Sequence, residues 1–407
     1  MKKNKKHIKL ITYGNFPYGG ASANLLRNFS LGLSEKGNDI EVLLPKGIYY
    51  GNNVEKNHQK KAKIDSVVYR HFCYTNHPKN YVGKLIDNVI GPINLYFYIL
   101  KQKRKNKADV IIKYNTTLSS DLFFLFTGKI FKIKTICIIP EFYEKPKKNI
   151  FSLKLIKWYD FYLGIRFLSK HVDGLIVLST FLENFLINKV RYKKSIIIQP
   201  NFIDSKNFEM PSKILPFKED QRTIGYVGTP TKKDGVIDLL NSFQILLKKY
   251  PNTHLLIIGD ITNGKTIIPK LKKYALKLNV INNITFTGLV PSAKIPFLLH
   301  SCDILALTRP KGIFAEAGFP TKLGEYFACK KPVVITKVGD IPKYFNNNEQ
   351  AILVNPEDPV NISKGFEYLL KNKNQATKIG ENGFCWMKKN LDYHIVSDKI
   401  NKFINNI

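Results

Sequence analysis

Short unbroken apolar runs alternate with helix-patterned stretches along this chain, and they do so in two successive series. The first series of strand-like runs covers residues 8–13, 40–44, 66–72, 109–114, 135–139, 174–179 and 195–199. Between residues 21 and 36, Leu25, Leu26, Phe29 and Leu33 fall on one helical face. The pattern then restarts at 223–227, 254–258, 284–287, 303–308, 332–336 and 351–354, with a helix over 236–247 after the first of these. Strands that are apolar on both faces and separated by helices belong to a parallel sheet covered on both sides. Two such series predict two doubly wound α/β domains facing a central cleft. A polar, Pro-containing seam runs from Gln199 through Pro200 to about Gln221.

Composition narrows the function classes. The chain has 407 residues, 44% hydrophobic and 12% aromatic, which excludes a disordered or low-complexity protein. The formal charge is +33, and residues 1–204 hold 35 basic against 14 acidic side chains. Only seven of the basic residues are Arg. Nucleic-acid binding favours Arg-rich or aromatic-interleaved basic stripes, so that partner class is not expected. The five cysteines (73, 137, 302, 329, 385) are odd in number, form no C-x-x-C and read as reduced core thiols of a cytoplasmic protein. The eight histidines lack metal-ligand spacing. No run approaches the roughly 18 apolar residues of a membrane span, and the basic start of the chain lacks the features of a signal peptide.

In this fold class ligands bind beyond the carboxyl ends of strands. Three post-strand segments stand out. Gly19 and Gly20 precede the first helix, where a bare backbone approaches a ligand and the helix start attracts anions. A plain turn is the competing reading. Gly228 opens a loop with Lys232, Lys233, Asp234 and Gly235, in which a phosphate would meet an ammonium and a helix start. Solvated lysines are the alternative there. The most specific segment runs from Glu316 to Pro332. Pro320 stands where a helix should begin, the amides of Thr321 and Lys322 can face an anion, and Glu325 lies one turn deeper. A surface helix carboxylate is the alternative for Glu325.

These residues resemble the retaining family 4 glycosyltransferases of the GT-B fold (glycosyl transferases group 1), most closely over residues 172–390. The resemblance rests on Gly19-Gly20, Asp173-Gly174, Pro200-Asn201-Phe202, Tyr226-Val227-Gly228, Lys233-Asp234-Gly235, Thr287-Gly288, Gly318-Phe319-Pro320-Thr321-Lys322 with Glu325, and Lys331-Pro332. It implies an N-terminal acceptor domain over 1–203, a nucleotide-sugar domain over 204–383 and a final segment, 384–407, that crosses back to the first domain. It further implies that Glu325 binds the donor ribose, Gly19 and Gly20 cover the diphosphate, Lys233 binds phosphate, and Gly288 with Leu289 reads the base. Phe319, Pro320, Thr321, Lys322 and Gly228 complete the donor set, and Phe384 with Trp386 resembles the aromatic pair before the final helix.

Three positions depart from the family pattern. The first acidic residue of the paired motif falls on Ala317, with Glu316 one position early. Thr229 replaces an Arg that often follows the phosphate-loop glycine. Glu141 follows the strand where the family often carries His. The implied activity is retaining, metal-independent transfer of a hexosyl or related group to a glycan or lipid-linked acceptor, with Lys233, Glu141 and Glu316 as the catalytic set and no cofactor. Competing readings are a catalytically inactive sugar-binding relative and a nucleotide-sugar epimerase. The apolar run 82–100, followed by Lys101, Lys103, Arg104, Lys105 and Lys107, points to an anionic membrane surface as a further partner. The core helix with a solvated Lys-rich end competes with it.

Overall fold

The computed structural model describes residues 5–48, 59–146, 153–210, 217, 221–261 and 265–407. Residues 211–216 and 218–220 of the expected seam, and His58, lie outside this set. The chain divides into two compact units, the first ending at Pro200 and the second running from Asn201 to Asp392, while Tyr393–Ile407 belong to the first.

The first unit is built on strands β1 (His7–Ile11), β2 (Asp39–Leu44), β3 (Lys61–Ile64), β4 (Val67–His71), β5 (Val110–Tyr114), β6 (Lys134–Ile139), β7 (Gly174–Val177) and β8 (Ser195–Ile198). Their order is β3-β4-β2-β1-β5-β6-β7-β8, all parallel except β3, which pairs antiparallel to β4. Its helices are α1 (Ala21–Glu35), α2 (Tyr81–Arg104), α3 (Leu118–Phe131), α4 (Leu153–Leu163) and α5 (Thr180–Phe185). The central strands are inaccessible to solvent at Ile8, Leu10, Val42, Ile111, Ile136 and Leu175, as both-face burial requires. β3 escapes the apolar-run criterion because its sequence, Lys-Ala-Lys-Ile, alternates on a partly exposed edge.

The second unit carries β9 (Arg222–Val227), β10 (Thr253–Ile258), β11 (Ile284–Phe286), β12 (Ile304–Leu307), β13 (Val333–Thr336) and β14 (Ile352–Val354), all parallel, in the order β11-β10-β9-β12-β13-β14. Helices α6 (Val236–Leu247), α7 (Ile268–Lys277), α8 (Ile295–His300), α9 (Ile313–Ala317), α10 (Thr321–Ala328), α11 (Ile341–Tyr344), α12 (Pro359–Lys371) and α13 (Lys373–Asn390) complete it. Tyr226, Leu239, Phe243, Leu255, Phe366 and Ile379 belong to one continuous core. Where the chain enters and leaves this unit, its two segments are stapled. Ile203 N donates to Leu391 O (2.9 Å), and Lys388 Nζ donates to Ser205 Oγ (2.9 Å) beside Asp392.

Of the five cysteines, Cys137, Cys302 and Cys329 are buried thiols and Cys73 is half-buried. The core reading fails at Cys385, which is exposed on α13 because it faces away from the stripe that holds Ile379, Gly383 and Met387.

The last helix, α14 (Tyr393–Asn405), packs on α1 of the first unit. Its contact is tight because Gly32 presents no side chain: a Cβ there would lie 1.8 Å from Ser397 Oγ. Tyr393 OH also donates to Glu35 (3.0 Å), and Lys6 Nζ donates to Ile404 O (2.8 Å). Overfilling such a contact costs about 1–3 kcal/mol. Gly32→Leu is expected to lower stability by that amount and to speed amide exchange selectively in residues 393–405. Unchanged exchange there would show that α14 does not depend on this contact.

Candidate functional site

The site of the second unit grows from the carboxyl ends of β9 and β12. β9 ends at Val227, and Gly228 turns the chain with φ +136°, a conformation that L side chains rarely adopt. A Cβ on Gly228 would come within 2.4 Å of both Cε and Nζ of Lys322, so the glycine leaves the space that this lysine fills. After the loop, Gly235 (φ +68°) starts α6 and packs so closely on Thr308 that its Cβ would lie 1.7 Å from the Thr308 carbonyl oxygen. The loop after β9 is thereby locked to the chain that leaves β12.

Asp234, in that loop, is the hub. It is buried, and it accepts hydrogen bonds from Tyr226 OH (2.7 Å) and from the Lys322 ammonium. Arg309, two residues beyond β12, brings its buried Nε to 3.5 Å from the other carboxylate oxygen. Burial pushes the Asp234 carboxyl upward, but Lys322, Arg309 and the two hydrogen bonds outweigh it and hold the group below the usual carboxylate range. Burial in turn lowers the Lys322 ammonium from its ordinary value, with Asp234 opposing.

Lys322 is the second residue of α10. Pro320 caps that helix in extended conformation (φ −70°, ψ 117°), so α10 begins at Thr321. The first amides of a helix lack carbonyl partners and carry its positive end. The Thr321 and Lys322 N–H groups therefore lie at an anion-attracting terminus beside the Lys322 side chain. The helix is fixed from below by Tyr326, whose buried hydroxyl accepts from Val227 N (2.9 Å), and from the side by Asn201 Nδ2 donating to Phe319 O (2.5 Å). Phe319 is buried edge-on against Tyr344.

Glu325 lies one turn along α10, and among the described residues its carboxyl makes no hydrogen bond or salt bridge. Loss of solvent pushes it up to about 7 against the pull of Lys322. A partly buried carboxyl with free oxygens beside an anion-attracting helix start is suited to accept hydrogen bonds from a diol.

The other sequence-derived residues are placed as follows. Lys233, expected to bind phosphate, is exposed, with Nζ 5.7 Å from the centre of the Phe314 ring, whereas Lys322 is held by Asp234. Gly288 (φ +69°) accepts from Gly259 N (3.0 Å) at the end of β11, and Leu289 is half exposed. Ala317 is fully buried, whereas Glu316 is exposed and accepts from Gly339 N (3.4 Å). Phe384 and Trp386 lie on α13. Trp386 packs on Phe345 with ring centres 4.5 Å apart, and Lys330 Nζ covers Phe384. A cavity of about 730 Å³ near the amino ends of β9, β12 and β13 is lined by Phe384 but by none of the residues assigned to the donor or to catalysis. In the first unit, Gly19 (φ +150°) and Gly20 are exposed at the start of α1. Glu141, after β6, accepts from Tyr143 OH (2.6 Å). Burial and this carboxylate raise Tyr143 and Tyr114 above the ordinary phenol value.

Sequence reasoning missed Arg309 and the hub role of Asp234. Arg309 had one signal, its position just after an apolar strand end, where ligands of this fold class bind.

The Glu325 shift has a definite sign. A carboxyl raised in the fold contributes stability below its unfolded value that is lost as pH rises through about 7. Relative to Glu325→Gln, the parent protein is expected to lose on the order of 2–3 kcal/mol between about pH 5 and 8 in urea titrations. Parallel stability profiles would place the carboxyl in water.

Comparison with known proteins matches a family model to this unit and relatives of similar fold to the whole chain. Residues 208–386 match the family described as glycosyl transferases group 1. An uncharacterized glycosyltransferase of Methanocaldococcus jannaschii is 24% identical over 95% of this chain and 96% of its own length. The capsular polysaccharide biosynthesis glycosyltransferase of Staphylococcus aureus is 22% identical over 62% of this chain and 67% of its own. Among solved structures, sucrose-phosphate synthase from Thermosynechococcus elongatus superposes with a TM-score of 0.74 at 14% identity, covering 99% of both chains. HepE from Anabaena, in complex with UDP, gives 0.70 at 14% identity over 98% of this chain and all of its own. The two Rossmann-like units thus have the GT-B fold, and the segment that holds the Asp234–Lys322 cluster carries the sequence signature of the group 1 glycosyltransferases.

Proposed function

We propose that this chain moves a hexosyl or related group from a nucleotide-sugar donor to a glycan or lipid-linked acceptor, with retention of anomeric configuration, in the assembly of a surface polysaccharide or glycoconjugate. The observation that carries the reading is the α10 terminus, where Lys322, the amides after Pro320 and Glu325, unpaired among the described residues, follow one another within a turn. Support comes also from the relatives above, one of which acts in capsular polysaccharide biosynthesis, and from a neighbour of the same fold that binds UDP.

On this reading the donor diphosphate meets the Thr321 and Lys322 amides and the Lys322 ammonium, which Asp234 and the Gly228 turn hold in position. Arg309 adds a second cation behind it, and Lys233 approaches from the same loop. Gly19 and Gly20 offer bare backbone at the start of α1 for the phosphates. Glu325 accepts from the ribose diol, and the Gly288–Leu289 backbone contacts the base. When the bond from the anomeric carbon to the departing phosphate breaks, negative charge grows on the diphosphate. Preorganised cations and amides stabilise that charge where a metal ion would otherwise serve. The acceptor oxygen forms the new bond, and its proton passes to the departing phosphate. Glu141 and Glu316 are assigned to the acceptor or the transferred sugar, each giving up its present hydrogen bond.

One observation favours a second reading. Ala317 stands where the family pattern has an acidic residue, which suits a sugar-binding protein without transfer activity. A thermal-shift panel of UDP-, GDP- and ADP-sugars identifies the donor, since binding to the folded state raises the midpoint. Incubation with the stabilising donor then separates the readings by release or transfer of sugar.

Glu325→Ala is expected to weaken nucleotide binding by roughly 1.5–3 kcal/mol in calorimetry, as for the loss of charge-assisted hydrogen bonds. Unchanged affinity would remove Glu325 from the site. Lys322→Ala and Lys233→Ala are expected to act on kcat more than on KM, on the order of a hundredfold for Lys322. An intact turnover number in either variant would cancel that lysine's assignment. Activity is expected to survive EDTA, and strict dependence on a divalent ion would point to a different diphosphate clamp.

A further inference from the structure

The helix α2 is amphipathic in the wrong sense for a helix covering a sheet in water. Its buried stripe is Gly83, Asp87, Gly91, Leu95 and Ile99, spaced by fours and polar or bare over its first half. Asp87 is held there by the Gly47 amide (2.9 Å). The opposite face presents Val82, Leu85, Val89, Ile93 and Phe97 to solvent, with Val82 64% and Phe97 61% exposed. Folding does not account for this stripe, since apolar side chains left in water gain nothing from the hydrophobic effect.

The face continues onto two neighbours in the same unit. α3 packs beside α2 and turns Leu122, Phe126 and Ile130 outward while burying Asp121, Phe124 and Leu125. Tyr96 of α2 bridges the two helices, stacking on Phe126 and meeting Phe131 with ring centres 5.0 Å apart. α4 packs on α3, joined by Ser119 N donating to Asp160 (2.9 Å), and exposes Leu153, Ile156 and Tyr159. Three helices packed in succession thus each turn a row of apolar side chains to solvent, more than scattered exposed residues explain.

Charge identifies what covers it. The three helices carry seven basic residues, Lys84, Lys101, Lys103, Arg104, Lys129, Lys154 and Lys157, against three acidic ones. Each acid is already engaged: Asp87 by Gly47, Asp121 by Lys113 and Thr116, and Asp160 by Ser119. Lys145 lies over the Trp158 and Tyr159 rings, setting amphipathic aromatics and a cation together at the edge of the face. A second copy of the chain would bring the same cations against each other. Anionic headgroups complement them, and apolar side chains between the cations can enter the acyl boundary. No helix among the described residues is long and apolar enough to cross a membrane, so the face lies on the bilayer and does not pass through it.

We propose that the α2–α3–α4 face is a docking surface for an anionic lipid bilayer, with α2 lying in the interface plane. The proposal does not depend on the transfer reaction. The test is flotation of the full chain with vesicles of phosphatidylcholine alone and of phosphatidylcholine with phosphatidylglycerol, at low and high salt. The chain is expected to float with the anionic vesicles and to be partly released by salt. Exchanging Lys101, Lys103 and Arg104 for Gln is expected to weaken partition on the order of a hundredfold. Val89→Glu with Ile93→Glu, at positions already in water, is expected to abolish flotation with the thermal midpoint unchanged. Recovery of the parent chain in the soluble fraction with both vesicles overturns the proposal. So does a concentration-dependent dimer that Val89→Glu with Ile93→Glu dissociates and that does not float, since a second copy then covers the face.

Discussion

Two cations, Lys322 and Arg309, converge on the Asp234 carboxylate inside the second unit, together with the Tyr226 hydroxyl. A buried carboxylate is costly to leave unpaired, and losing one partner strands the others. That cost ties four segments together: β9 through Tyr226, the loop after it through Asp234, the chain after β12 through Arg309, and α10 through Lys322. The two close approaches that accompany the cluster follow the same logic. Gly228 must be bare so that Lys322 can reach Asp234, and Gly235 must be bare so that the loop can sit on Thr308. The start of α10 is aimed by these contacts, and with it the amides and the Glu325 carboxyl that give the site its character.

The parts of this arrangement that were legible in the sequence are those governed by local pattern. Continuous apolar strands announced both parallel sheets, because a strand buried on two faces has no polar alternation to hide it. Pro320 announced the start of α10, because proline suits a position whose amide would lack a partner. The cluster itself was not legible. Asp234 and Arg309 lie 75 positions apart in the numbering and meet only because β9 and β12 are neighbours in the sheet. No periodicity records that adjacency. Thr229, read as a lost cation in the phosphate loop, shows the limit most clearly, since the guanidinium near that loop comes from a different strand end.

The same limit applies to α2. Its apolar run was visible, and so were the lysines after it, but a run of apolar residues does not say which side of the helix faces the sheet. The answer depends on Asp87 and Gly91. A Cβ on Gly91 would come within 1.8 Å of the Pro45 carbonyl oxygen, and the Asp87 carboxylate accepts from the Gly47 amide (2.9 Å). Close packing therefore claims their stripe for the interior, and the branched and aromatic side chains are left outside. One glycine and one buried aspartate, each against the segment after β2, decide the direction of a whole face.

Ala317 and Glu316 carry the argument about the acidic component of the site to its end. One step along a helix turns a side chain by about 100°, so a carboxylate at 316 does not substitute for one at 317. The structure bears this out in the burial of the two positions: Ala317 is enclosed, and Glu316 reaches outward to the Gly339 amide. Lys322 and Arg309 converge on Asp234, and among the described residues Glu325 makes no hydrogen bond or salt bridge. The two cations are thus committed to one carboxylate, and burial, against the pull of Lys322, sets the state of Glu325 and raises its carboxyl to about 7.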